Sequence, residues 1–98
     1  MTYEQKLHIL DSAGTKFGDN SQIDKAVEEM AELTKALMKY RYSNDDQGRF
    51  KEVVDEIADV GIMLEQLILI FDCRKEVEIA QEKKFRRLEE LLNNGFTR

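Results

Sequence analysis

The sequence predicts an all-α protein, and three observations carry that prediction. Apolar residues recur at spacings of three and four along most of the chain, the period of a helix face. There is no Pro and only five Gly, so few breakers interrupt those stretches. Charged residues make up 36% of the chain and hydrophobic ones 42%, a balance suited to helices with one apolar and one solvated side. Ninety-eight residues form one domain, 1–98, near the small end of what holds a core unaided. The expected architecture is a four-helix bundle-like protomer that oligomerises: a short first helix, a long antiparallel hairpin and a C-terminal helix.

Thr2-Tyr-Glu-Gln5 has the capping-box form, so the first helix starts there and is expected to fade at Ala13-Gly14. Residues 15–20 read as a loop, and Asn20 or Ser21 as the cap of a second helix reaching about Tyr42. Ile23, Ala26, Val27, Met30, Leu33, Thr34, Leu37 and Met38 give that helix its expected buried face. With Ile23 at 0°, the face centres near roughly 350°, while Glu29 falls near about 240° and Glu32 near about 180°. The acids therefore flank the apolar stripe.

Residues 43–48 are a polar turn, short enough to make the next helix an antiparallel neighbour. That helix spans about residues 46–72, with Val53, Ile57, Val60, Leu64, Leu67, Ile68 and Phe71 on one face. Beyond Asp59, the added Ile62, Met63, Leu69 and Ile70 make it apolar nearly all round, which calls for burial on every side. So short a chain has too few helices to cover it, and a homodimer or larger assembly is expected. A turn at residues 72–75 leads to the last helix, about residues 76–92. There Val77, Ala80, Leu88, Leu91 and Leu92 point inward, and Phe85 lies near that face. Residues 93–95 stop it, and a loose tail follows.

Composition excludes several functions. A net charge of −5 argues against a nucleic-acid polymer as partner. One cysteine, Cys73, rules out an internal disulfide and zinc knuckles. One histidine, His8, cannot supply the Glu-x-x-His pairs of a di-iron carboxylate bundle. The longest apolar run, residues 61–71, is broken by Glu65-Gln66 and too short to span a bilayer. Without a signal pattern at its start, the chain is expected to be cytoplasmic.

Chemistry concentrates in two acidic clusters, E-E-M-A-E at residues 28–32 and E-I-A-D at residues 56–59. In each, two carboxylates three apart share a side of the helix: Glu29 with Glu32, and Glu56 with Asp59. Four carboxylates facing one another across a helical hairpin repel unless a cation lies between them. Oxygen donors of this kind suit Mg²⁺, and Mn²⁺ next. Glu52 and Asp55 offer the same spacing, but Asp55 lies further toward the polar side, so Glu56 and Asp59 are preferred. Lys83, Lys84, Arg86 and Arg87 form the one dense basic cluster; they are either a solvated face bridged to Glu82, Glu89 and Glu90 or a set that holds phosphate oxygens. No G-x-x-x-x-G-K phosphate loop occurs.

E-E-M-A-E-L (residues 28–33), E-I-A-D-V (residues 56–60) and K-F-x-R (residues 84–87) together resemble the MazG-like all-α nucleoside triphosphate pyrophosphatases, over about residues 16–88. The resemblance implies an oligomeric helical bundle, a homodimer or homotetramer, that uses Mg²⁺ to split a nucleoside triphosphate into the monophosphate and pyrophosphate; nucleotide-pool house-cleaning is one use of that reaction. It implies Glu29, Glu32, Glu56 and Asp59 as metal ligands and Glu28 as a base for the attacking water. It also implies Lys84 and Arg87 at the phosphates and Gln22 facing the nucleotide. The chain departs from the family as a single short copy with little beyond the bundle to recognise a base. Two other readings compete: a non-enzymatic helical homodimer acting as an interaction or regulatory module, and a phosphohydrolase for another phosphorylated metabolite.

Overall fold

Thr2 opens the first helix as expected. Its Oγ1 accepts from the Gln5 N–H at 3.1 Å, and its own N–H donates to Gln5 Oε1 at 2.8 Å. The computed structural model describes residues 1–44 and 47–95. These hold four helices and no strand: α1 (Tyr3–Phe17), α2 (Asp19–Arg41), α3 (Gln47–Phe71) and α4 (Arg74–Asn93). The expected turn residues Asp45 and Asp46 and the tail at 96–98 lie outside the described residues. No helix among the described residues is long and apolar enough to cross a membrane.

The first helix does not fade at Gly14. Gly14 continues the helix, and a Cβ there would stand in ordinary contact, 3.4 Å, with Gln66 Nε2 of α3. The break falls at Gly18 (φ 86°, ψ 151°), in a region open essentially to glycine alone. Its N–H donates to the Gly14 carbonyl at 2.9 Å, and its carbonyl accepts from Gln22 N–H at 3.1 Å. One residue thus ends α1 and begins α2, where a six-residue loop is expected from residues 15–20. Asp19, not Asn20 or Ser21, starts the helix, and no side chain caps it.

α2 and α3 form the antiparallel hairpin, the most extensive helix pairing in the fold. Its register is marked by Gln22 beside Gln66, Glu29 beside Asp59, and the Tyr40 and Phe50 rings 6.5 Å apart. The buried residues are Ala26 and Ala36 from α2 and Met63 and Gln66 from α3. Two alanines at the crossing let the helices come close. The expected inward face of α2 is therefore rotated. Ala26, Glu29, Leu33 and Ala36 form the seam, whereas Val27, Met30, Leu37 and Met38 stay exposed.

α3 shows the same displacement. Val53, Glu56, Val60, Met63 and Leu67 face the seam, while Phe50, Val54, Ile57, Leu64 and Phe71 are exposed. Those outward residues, with Gly61 and Ile68, repeat at four and three like the seam of a coiled coil.

Asp72 ends α3 with a left-handed φ of 48°. The Cys73 N–H donates to Ile68 O and the Asp72 N–H to Leu69 O, a Schellman closure. The turn is only Asp72 and Cys73, and α4 begins earlier than expected. Arg74 fixes its root through Glu65 (2.6 Å) and the Tyr3 ring (5.9 Å). Beyond that, α3 is the only helix among the described residues that the α4 backbone approaches. Its expected core face is half-buried at Val77, Leu88 and Leu91, while Ala80, Phe85 and Leu92 are exposed.

These exposed stripes show in the dimensions. The radius of gyration is 16.7 Å, against about 13 Å for a compact chain of this length. Accessible surface is 8108 Å², against roughly 5,800 Å² for a compact monomer of this mass.

Candidate metal centre

The α2–α3 seam turns charge inward at its middle. Glu29 follows Ala26 by one turn on the packing face, and its side chain is only 13% exposed. From α3, Glu56 reaches the same layer half-buried, and Asp59 lies at its open edge. One carboxylate oxygen of each of Glu29, Glu56 and Asp59 lies within 4.8 Å of the other two. Glu56 Oε2 is out of water and has no hydrogen-bond partner. Its carboxyl is pushed above the ordinary range, first by loss of water and then by the charges of Glu29, Asp59, Glu32 and Asp55.

Lys25 is the cation already at this centre. Its ammonium is 3.1 Å from Glu29 and is held above its ordinary pKa, chiefly by that hydrogen bond and charge, then by Glu28 and, after a small opposing loss of water, Asp59. An unpaired buried carboxylate oxygen among converging acids, with oxygen-only donors, fits a hard divalent cation.

The other expected residues fall in different places. Glu32 is exposed and outside the trio, yet it lines with Glu56 an adjoining cavity of about 200 Å³. Glu28 is exposed on α2, where its charge reaches Lys25. Gln22 is half-buried and bonded to Gln66 at 3.4 Å, two turns from Glu29. Glu52 pairs with Arg49 (3.4 Å) and also lines the cavity beside Glu56, while Asp55 pairs with Lys51 (2.8 Å); neither belongs to the trio.

Lys84 and Arg87 lie on α4, beside a cavity of about 490 Å³ whose described lining is all α4. Of the four clustered cations, Arg86 alone makes an ion pair among the described residues, with Glu82 at 3.1 Å. The cations nearer the acids are ones the sequence reading missed. Lys35 and Lys39 line the cavity shared by Glu32 and Glu56, and Lys25 pairs with Glu29. Lys25 is signalled by its i,i+4 spacing to Glu29 and Lys35 by its i,i+3 spacing to Glu32, whereas Lys39 has no such partner.

Comparison with known proteins finds no matching family model, no matching curated protein and no matching solved structure. The likeness to MazG-like pyrophosphatases rests on the motif residues alone.

Proposed function

We propose that this chain is a Mg²⁺-dependent nucleoside triphosphate pyrophosphohydrolase that works in the cytoplasm as a homo-oligomer. The observation that carries the reading is the convergence of Glu29, Glu56 and Asp59 around an unpaired buried oxygen of Glu56. These three, with Glu32 at the edge, would hold the cation; Mn²⁺ suits the same oxygens. When bound, it supplies Lewis-acid neutralisation of the triphosphate charge.

The chain's own residues do the rest. Glu28 is the candidate base that takes a proton from the attacking water. The water oxygen bonds to the α-phosphorus as the bond from that phosphorus to the bridging oxygen breaks, so the products are nucleoside monophosphate and pyrophosphate. Lys35 and Lys39, which line the cavity beside Glu56, are placed to hold oxygens of the departing pyrophosphate. Lys25, 3.1 Å from Glu29, would share that carboxylate with a bound cation or be displaced from it.

Self-association is supported by the outward heptad stripe of α3 and by the open radius of the protomer. A dimer or tetramer would cover that stripe; Lys84 and Arg87, on α4, remain the candidate phosphate-binding cations of that helix. The same stripe favours the competing reading, a helical dimer without catalysis. Mg²⁺ with nucleoside triphosphate should raise the melting temperature by mass action, equivalent to about 2.7 kcal/mol at a hundred times Kd; no shift favours the non-enzymatic dimer. Pyrophosphate as product distinguishes this enzyme from a phosphohydrolase releasing orthophosphate. Asp59→Ala or Glu32→Ala protein that folds normally and keeps full Mg²⁺-dependent hydrolysis would remove the site assignment.

A further inference from the structure

We infer that Gln66 and Gln22 form a nucleobase-reading subsite two helical turns from the acids; the inference rests on the pyrophosphohydrolase reading. Gln66 is the one polar residue among the described residues that is fully buried, at 1% exposure. Its Nε2 donates to Gln22 Oε1 at 3.4 Å, a long bond, while its own Oε1 has no partner. A buried amide oxygen left unpaired is costly, so it points to a group that the protein alone does not supply.

Gln66 also lines a cavity of about 190 Å³ between α1 and α3, with Gly14, Thr15, Asp19, Leu69 and Ile70 among its neighbours. That volume is below the roughly 300–1,000 Å³ of pockets that enclose a whole drug-sized ligand. It admits a single planar ring, with Leu69 and Ile70 supplying apolar wall and Gln22 reaching it through Gln66. Gly14 lines it, and a methyl there would take up part of its volume while resting in ordinary contact, 3.4 Å, with Gln66 Nε2.

Position and chemistry agree. Gln22 precedes Glu29 by seven residues and Gln66 follows Asp59 by seven, so the amides lie about 10 Å along the seam from the acids. A sugar and its first phosphates bridge such a gap. Each amide has one donor group and one acceptor, and their mutual bond uses one of each. Flipping both amides reverses the roles but still leaves one whole NH2 group and one carbonyl oxygen outside that bond. A neighbouring donor and acceptor match the edge of a nucleobase, whether lactam or amidine.

Calorimetric titration in Mg²⁺ tests this, using α,β-methylene analogues of ATP, GTP, CTP and UTP beside inorganic tripolyphosphate. Wild-type protein should bind at least one analogue about tenfold or more tighter than tripolyphosphate. Gln66→Leu should erase that margin and leave tripolyphosphate binding unchanged. Gly14→Ala, a substitution that favours the helix, should shrink the margin by narrowing the cavity and decides the matter if Gln66→Leu does not fold. A folded variant that keeps the full margin would make the amide pair only a lock between helices. Tripolyphosphate binding with no preference for any base overturns the subsite alone. No binding of either probe overturns the pyrophosphohydrolase reading and the subsite with it.

Discussion

The hairpin seam around residues 22–36 and the length of α4 around residues 77–92 are both amphipathic and both dense in charge. In the first, a second helix lies along it, and Glu29 is drawn into a layer with Glu56 and Asp59. In the second, no other helix among the described residues lies along it beyond its root, and Lys83, Lys84 and Arg87 stand on an exposed surface beside an exposed Phe85. The difference teaches that charge acquires unusual properties from a neighbour at close range, not from its density in the sequence. Glu56 has a raised pKa because lost water and then the nearby acids of both helices act on it together, whereas the packed basic run of α4 keeps its solvent.

The sharpest way to break that contrast is Glu56→Gln. Hydrolysis should fall by more than the about 10–100-fold that changes around a metal's ligands cost. Stability should move the other way in metal-free protein. Because folding raises the Glu56 carboxyl, its favourable contribution is complete below the unfolded carboxylate range, about 4.3. It is lost as pH rises through the folded value. The variant's advantage in melting temperature should therefore grow between pH 4 and pH 8 and shrink when Mg²⁺ is added to both proteins. A variant less stable than wild type at pH 8 without metal would deny that the acids are strained.

The second comparison sets the covered seam against the uncovered stripes. Leu64→Glu, on the outward face of α3, and Phe85→Glu, on α4, should each weaken self-association by about 2 kcal/mol or more, as loss of a central apolar anchor does. Sedimentation velocity across a concentration series measures this. Wild-type protein that sediments as a monomer throughout would leave the open radius without its explanation.

The smallest effect concerns the joint that sets α1 against the hairpin. Gly18→Ala should cost about 1–3 kcal/mol in urea unfolding, through backbone strain alone, since no atom lies within 4 Å of the added methyl. An unchanged midpoint would mean that the joint relaxes to an ordinary conformation.

Much of the candidate centre was legible. Spacing alone put Glu56 and Asp59 on one side of a helix and Glu29 on the next. The trio then depended on register, where the polar side of Asp55 favoured Glu56 with Asp59 over Glu52 with Asp55; in the fold, Arg49 and Lys51 pair with Glu52 and Asp55. Glu32 sits a turn away because the seam passes through Ala26 and Ala36, not through the bulkier stripe of Val27, Met30 and Leu37. Lys35 and Lys39 escaped notice because a lysine on a helix is solvated by default, and only the opposite wall of a cavity gives it a ligand to hold.

By itself the sequence determined that the chain is helical, where its capping box lies, and which acids share a side, since these follow from local spacing and hydrogen bonding. Gly14 as a point of contact, Gly18 as the true joint, and the rotation of α2 and α3 onto their small residues were decided only by tertiary structure. The reason is physical: helical period fixes which residues lie together on one side, but which side is covered depends on the shape of whatever packs against it. Here part of the strongest apolar surface still faces outward, along α3 from Phe50 to Phe71.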